Sequence, residues 1–237
     1  MKTSVFIPCT PKHIKYISGL VSEYQHGTVK PDEIVVFVSG NGRSYEAFKN
    51  THYEKHVAGN VLAGPARQTA KQLCSGDIIL YQDADDLPHP QRVEIVKHLF
   101  ETMDIMHMTH SYAFMRELPS WADGKIHYTA ATMPKTIEYK EISIIDGKKI
   151  FEMYFPGGRI TDCSTAACSW GPTDNIQHAG ACCIRREVLN VVTWKKNNAL
   201  ALAPMNKDKA EDYEFCMECA FRFKKSAMIS AVLYQYR

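Results

Sequence analysis

Gly76-Asp77-Ile78-Ile79-Leu80-Tyr81-Gln82-Asp83-Ala84-Asp85-Asp86 is the stretch on which the fold turns. Ile78, Ile79, Leu80 and Tyr81 form a continuous apolar run between a Ser75-Gly76 break and an acidic turn. A run without alternation reads as a strand buried on both faces, as in a parallel sheet. The carboxylates then fall at the strand's carboxyl end, where open α/β sheets place their ligand crevice. Three carboxylates within four residues repel one another unless a cation or hydrogen-bond donors intervene, and hard oxygen ligands suit Mg²⁺ or Mn²⁺. Taken alone, the triplet also reads as a solvated acidic turn complementing the start of the next helix.

The same logic extends upstream and downstream. Gly64-Pro65 opens a helical stretch that runs to about Ser75-Gly76, since proline is tolerated in a first turn. Residues 34–38 are a second branched run, and residues 5–8 a third, followed by Ile14, Ile17, Leu20, Val21 and Tyr24 at helical spacing. From Pro88 onward Val93, Val96, Leu99, Phe100 and Met103 make one helical stripe. Three βα units in the first hundred residues predict an α/β core with a mostly parallel sheet. After Asp104 the pattern changes. Residues 137–145 and 149–154 flank Asp146-Gly147, a two-residue hairpin signal. Residues 156–177 show no period, as expected of a functional or mobile loop. Strand 179–184, a helix from Glu187, a helix from Glu211 to about Lys224 and a strand over 227–236 complete the chain.

At 237 residues the chain fits one large domain or a core with a substantial insertion. Lys plus Arg number 28 against 26 Asp plus Glu, a near balance that argues against a general polyanion binder. No apolar run approaches the roughly 20 residues that cross a bilayer. The amino terminus lacks a signal-peptide core of roughly 7 to 15 residues. The expectation is a soluble, cytoplasmic protein whose eight cysteines are reduced thiols. Cys216-x-x-Cys219 has the spacing of a zinc knuckle, but these residues share a helical stripe with Phe215, Ala220 and Phe223, where thiols pack as small apolar groups.

In combination, Gly64-Pro65-Ala66-Arg67-Gln68-Thr69-Ala70, Gly76-Asp77, Asp83-Ala84-Asp85, Pro90 and Arg92 resemble the nucleotide-sugar half of inverting family 2 glycosyltransferases with the GT-A fold. The resemblance covers residues 3–103 and 178–237. It implies a three-layer, Rossmann-like α/β sandwich with a mostly parallel central sheet and an inserted β-hairpin and loop region. It divides a single domain into a nucleotide-sugar half (1–103), an acceptor-side insertion (104–177) and a catalytic-base half (178–237). The implied reaction moves a hexosyl or related sugar from a nucleotide-diphosphate donor to an acceptor hydroxyl, with inversion and with Mn²⁺ or Mg²⁺. Asp83 and Asp85 inherit the ribose and metal roles, with Ala84 between them. Pro8 and Thr10, at the end of the first strand, lie against the nucleotide, and Arg67 touches the base or phosphate. Ser39 stands where the family carries an acidic pair that reads the base, which leaves the base open.

The same resemblance extends to the second half. Gly180 would let backbone approach the sugar, and Arg185 and Arg186 either face the diphosphate or open a solvated helix. In Lys209-Ala210-Glu211-Asp212, Asp212 matches the general base. A helix start favours the ionised carboxylate that a base requires, although it equally suits simple complementation of the helix dipole. On the acceptor side, Tyr112, Trp121, Tyr128, Tyr154 and Trp170 offer aromatic faces, with Trp170 preferred, and His178 and Glu211 are further acceptor contacts. Two other classes remain. A sugar nucleotidyltransferase would carry a glycine-rich basic loop where this chain has Cys9-Thr10-Pro11-Lys12-His13, and a non-catalytic zinc- or sugar-binding module would need no base.

Overall fold

The apolar runs of the first hundred residues become the strands they predict. The computed structural model describes residues 1–40, 54–58, 63–114, 138–145, 148–155, 158–159, 179–194, 210–223 and 226–236. Strand β1 (Thr3–Cys9) enters a 3-10 turn (Pro11–His13) and α1 (Ile14–His26). Then come β2 (Glu33–Ser39), β3 (Glu54–Ala58), α2 (Ala63–Gln68), α3 (Ala70–Leu73), β4 (Ile78–Tyr81), β5 (Leu87–Pro88) and α4 (Arg92–Thr102). The second half holds β6 (His107–Phe114), the hairpin β7 (Glu138–Ile145) and β8 (Lys148–Phe155), β9 (Gly158–Arg159), β10 (Cys182–Arg185), α5 (Ala210–Arg222) and β11 (Ser226–Tyr236).

These strands join one sheet in the order β3-β2-β1-β4-β10-β6-β11-β8-β7. β3, β2, β1 and β4 are mutually parallel, and so are β6, β11 and β8. β10 runs antiparallel between β4 and β6, which joins the two parallel blocks. The chain passes from β1 outward to β2 and β3, then returns to place β4 on the other side of β1. That reversal opens a crevice at the carboxyl ends of β1 and β4.

Two apolar layers cover the sheet. Val5, Ile7, Val36, Val38 and Leu80 face α1 and α4 with Ile17, Leu20, Val96 and Phe100. Phe6, Val35, Phe37, Ile79 and Tyr81 face the other way, against Ala66, Ala70, Trp194 and Phe215. Continuous apolar strands are thus explained by a sheet with both faces covered. Each such Val, Ile or Leu contributes roughly 1.5–3 kcal/mol, so one polar substitution at Val36 or Leu80 removes a large part of a domain's net roughly 5–15 kcal/mol.

The Gly76-Asp77 step has a steric cause. A Cβ at Gly76 would stand 2.8 Å from the Ser4 amide nitrogen. The Gly76 amide itself donates to Ser4 Oγ at 2.8 Å, and Asp77 Oδ2 accepts from the Lys2 amide at 2.8 Å. Only glycine lets this loop close onto β1, which sets the level at which β4 begins.

The structure departs from the sequence reading in several places. The helix expected over 64–75 breaks at Thr69, whose hydroxyl bonds back to the Ala66 carbonyl at 2.7 Å and competes with the helical ladder. The strand expected from Ala179 begins only at Cys182, after a 3-10 turn (Ala179–Ala181). The helix expected from Glu187 is a short 3-10 turn (Arg186–Asn190) that buries Val188 and Leu189. β6, inside the segment read as an insertion, is a central strand between β10 and β11. β7 and β8 pair as the expected hairpin strands, with Ile145 opposite Lys148, and Asp146 and Gly147 lie outside the described residues.

Candidate functional site

A cavity of about 260 Å³ opens at the carboxyl ends of β1, β2 and β4. It is lined by Pro8, Cys9 and Thr10 from the end of β1, Ser39 from the end of β2, Ala63 and Arg67 from α2, His13, and Asp83 to Asp86 after β4. Gly40, just beyond Ser39, has φ +144° and so needs glycine, and a Cβ there would run into Pro11. The chain thereby leaves β2 sharply and keeps the Ser39 end of the cavity open.

The acidic turn is held rigidly from behind. The Gln82 side-chain amide donates to the Asp83 and Asp86 carbonyls at 2.9 and 3.1 Å. Its oxygen accepts from the Tyr24 hydroxyl at 2.8 Å and from Arg92 Nη1 at 2.5 Å. Arg92, fully buried, also donates to the Tyr81 carbonyl at 2.7 Å, the Gly180 carbonyl at 2.5 Å and His110 Nε2 at 3.1 Å. One guanidinium thus ties the end of β4, the turn before β10 and β6 together. With the backbone fixed, the Asp83 and Asp85 carboxylates are presented to the cavity. Asp85 Oδ2 lies 3.7 Å from His13 Nε2.

Arg67 is the electrostatic centre. Its Nη1 donates to Glu211 Oε1 at 2.7 Å and to Asp212 Oδ1 at 3.1 Å, and its Nη2 to Asp83 Oδ1 at 3.0 Å. Asp212 Oδ2 accepts from the Ala179 amide at 3.1 Å. The first turn of α5 is therefore clamped to the first βα half through one arginine. The guanidinium lies over the Trp194 ring at 5.2 Å, and Trp194 stacks on Phe215 at 3.8 Å and donates its indole N–H to the Tyr81 hydroxyl at 3.0 Å. Burial alone would make Arg67 harder to charge, but Asp212, Asp83 and Glu211 hold it protonated. Burial raises the Glu211 carboxyl above its ordinary range, with Arg67 opposing. Among the described residues three carboxylates converge on Arg67, a concentration of negative charge that a divalent cation would complement. Burial and the nearby Asp85 push the Cys9 thiol up to about 12, so this cavity residue is a protonated thiol at neutral pH.

Of the residues singled out from the sequence, Pro8, Thr10, Ser39, Arg67, Asp83, Ala84 and Asp85 meet at the cavity. Glu211 and Asp212 stand behind Arg67 and do not line it. Gly180 is buried, with its carbonyl turned inward to Arg92, and is also absent from the lining. Arg185 does not face a diphosphate: it pairs with Ile78 at the opposite edge of β4 and donates to the Ile105 and Phe100 carbonyls at 2.8 and 3.1 Å. β10 is antiparallel to β4, so its carboxyl end, Arg186 included, lies away from the cavity. Tyr112 and Tyr154 fall on β6 and β8. Trp121, Tyr128, Trp170 and His178 lie outside the described residues, as do Cys163 and Cys168. Gln82, Trp194 and His13 were not anticipated. The partners of Trp194 and His13 are distant in sequence, and Gln82, which bonds both the nearby Asp83 and Asp86 carbonyls and the distant Tyr24, had only its Asp-x-Asp context as a cue.

Among the described residues, no helix is long and apolar enough to cross a membrane. No protein-family model matches the chain, and no curated protein matches it by sequence. Solved structures match along its whole length. S. aureus TarS bound to UDP-GlcNAc is 15% identical with a TM-score of 0.58, and the match covers 100% of this chain and 58% of that one. Glucosyl-3-phosphoglycerate synthase from Mycobacterium tuberculosis, bound to Mn²⁺, UDP and glucosyl-3-phosphoglycerate, is 16% identical with a TM-score of 0.58, covering 100% of this chain and 72% of that one. A third, mycobacterial protein is 14% identical with a TM-score of 0.61. The chain spans under three fifths of the TarS fragment. At such identities the likeness establishes architecture, and the β3-β2-β1-β4 order with a cavity at its carboxyl edge agrees with it: this chain has the GT-A fold.

Proposed function

We propose that the chain is a metal-dependent, inverting glycosyltransferase of the EC 2.4 type, acting from a nucleotide-diphosphate sugar on an acceptor hydroxyl in glycan biosynthesis. The observation that carries this reading is the Arg67 clamp. It joins Asp83, on the cavity wall, to Asp212, at the head of α5, through a single guanidinium. Donor-side and acceptor-side carboxylates are thereby held in fixed relation. The structures bound to UDP-GlcNAc and to Mn²⁺ with UDP support the donor class and make uridine diphosphate sugars the first to try.

In this reading the nucleotide lies along Pro8, Thr10 and Ser39, and Arg67 fixes both sides of the site. Asp83 and Asp85 supply hard oxygen donors suited to Mn²⁺ or Mg²⁺, which would neutralise charge on the departing diphosphate. Asp212 takes the proton of the acceptor hydroxyl as that oxygen forms its bond to the anomeric carbon. The bond from that carbon to the diphosphate oxygen breaks on the opposite face, and the nucleoside diphosphate leaves with the electron pair. One displacement inverts the centre. Hydrogen bonds from Arg67 to Oδ1 and from the Ala179 amide to Oδ2 orient the Asp212 carboxylate for that role. Gly180, Glu211, His178 and Trp170 belong to the sugar and acceptor side, with residues 104–177 contributing most of it. In this reading the enzyme is soluble and cytoplasmic and its cysteines are reduced thiols.

Asp212→Asn tests the assignment. Transfer should fall roughly 10²–10⁴-fold while nucleotide affinity changes little, since general-base catalysis is of that size. Turnover within a few-fold of the unaltered enzyme sinks the base assignment.

A further inference from the structure

His107 on β6, Cys182 on β10 and Cys216 on α5 come from three separate elements, yet their imidazole and thiol ligand atoms all lie within 4.8 Å of one another. All three side chains are completely buried, and so is Cys219. The sheet register explains half of this. His107 sits opposite Ile184, and Cys182, two residues before Ile184, shares its face, so the two are diagonal neighbours across the β6–β10 ladder. α5 covers that face, and Cys216 and Cys219, three residues apart, present two thiols one turn after the other toward it. Cys219 lies in the same buried layer as Cys182 and Cys216.

We propose that His107, Cys182, Cys216 and Cys219 form a structural zinc centre on the inner face of α5. The donor set is three thiols and an imidazole, the composition of closed tetrahedral zinc sites. It is also the wrong set for Mg²⁺ or Mn²⁺, which take carboxylate oxygens, so the two metal sites would be chemically distinct. Zinc–sulfur bonds of about 2.3 Å and zinc–nitrogen bonds of about 2.0 Å place tetrahedral ligand atoms roughly 3.5–3.8 Å apart. The ligand atoms of His107, Cys182 and Cys216 need close by no more than about an ångström to reach that geometry, and Cys219, one turn along α5 from Cys216, would turn in as the fourth ligand. Packing of thiols as small apolar groups, the expectation from the sequence, would account for three cysteines. It does not require an imidazole nitrogen within 4.8 Å of two of those thiols.

The centre would act on the site by position. Cys216 follows Asp212 by one helical turn, and Cys182 follows Gly180 by two residues. An ion shared by β6, β10 and α5 would therefore pin the first turn of α5, with Glu211 and Asp212, to the sheet. It does not depend on the proposed sugar transfer, because zinc content is read without a nucleotide.

The test is metal analysis of the purified full-length chain supplied with zinc, with Cys216→Ser and Cys74→Ser alongside. One zinc per chain is expected, retained in Cys74→Ser and held at least about tenfold more weakly in Cys216→Ser. If Cys216→Ser does not fold, cobalt substitution of the unaltered protein decides. Thiolate-to-cobalt charge-transfer absorption with tetrahedral ligand-field bands is the expected result. Folded protein that takes up no zinc and shows no thiolate–cobalt band overturns the proposal, and so does zinc content unchanged in Cys216→Ser.

Discussion

Replacing Arg67 with methionine keeps most of the side-chain volume and deletes the one cation shared by Glu211, Asp212 and Asp83. The lost contacts are hydrogen bonds of 2.7, 3.1 and 3.0 Å. Removing one partner of a buried ion pair costs roughly 3–5 kcal/mol, because the other charge stays buried. The Asp83 side chain is 19% exposed against 5% for Glu211 and 11% for Asp212, so screening discounts the Asp83 share. A loss of about 3–4 kcal/mol near neutral pH is expected, a large fraction of a domain's stability. The pH dependence is diagnostic. Burial already raises the Glu211 carboxyl, and without Arg67 only the Gly64 amide, among the described residues, still opposes it, so the folded variant binds protons that the unfolded chain releases. Stability of the variant is then highest below the ordinary Glu value of 4.5 and declines as pH rises through the raised value, by up to about 1.4 kcal/mol per unit for each such group. Urea unfolding of Arg67→Met, followed by the fluorescence of Trp194 across mildly acid to neutral pH, measures this. Adding Glu211→Gln should recover part of the loss. A penalty below about 1 kcal/mol, or one that is the same at every pH, refutes the clamp as the organiser of the site.

Two further outcomes follow from the same geometry. Burial would raise Glu33, but hydrogen bonds from Ser4, Ser75 and Gly76 outweigh it and hold the carboxyl below its ordinary value of 4.5. Its stabilisation is present above that value and is lost as pH falls through the lowered one, so Glu33→Gln should unfold earlier than the unaltered chain at neutral pH and converge with it in acid. Parallel curves across that range contradict the staple. Asp85→Ala should weaken nucleotide binding about tenfold or more in the presence of Mn²⁺ and little without it, as calorimetry would read. An unchanged metal-dependent affinity removes Asp85 from the metal site.

The parts of the fold legible in the sequence are those whose local pattern and tertiary setting agree. β1, β2 and β4 are apolar on both faces because helices cover both faces, and the pairing of β7 with β8 was signalled by the Asp-Gly dipeptide between them. β3 was missed because Glu54-Lys55-His56-Val57-Ala58 carries no apolar run and pairs with β2 alone. β6 was missed for a different reason: it buries His107, Thr109 and His110, polar residues that alternation cannot distinguish from a solvated segment. In the site, the Asp-x-Asp turn and Asp212 are written locally, as carboxylates at a strand end and a helix start. Their connection is not, because Arg67 meets Glu211 and Asp212 across 144 and 145 positions of sequence. Of the two readings open for Arg185, the phosphate contact required β10 to run parallel to β4, and it runs the other way.

Thermal unfolding of the intact chain against a panel of uridine, guanosine, cytidine and thymidine diphosphate sugars, each with and without Mn²⁺, bears most directly on the cavity at the ends of β1, β2 and β4. At least one nucleotide sugar should raise the melting temperature by several degrees with Mn²⁺, as expected for ligand well above its dissociation constant, and by much less without it. No shift from any donor at millimolar concentration with Mn²⁺ present would contradict a nucleotide-sugar site there.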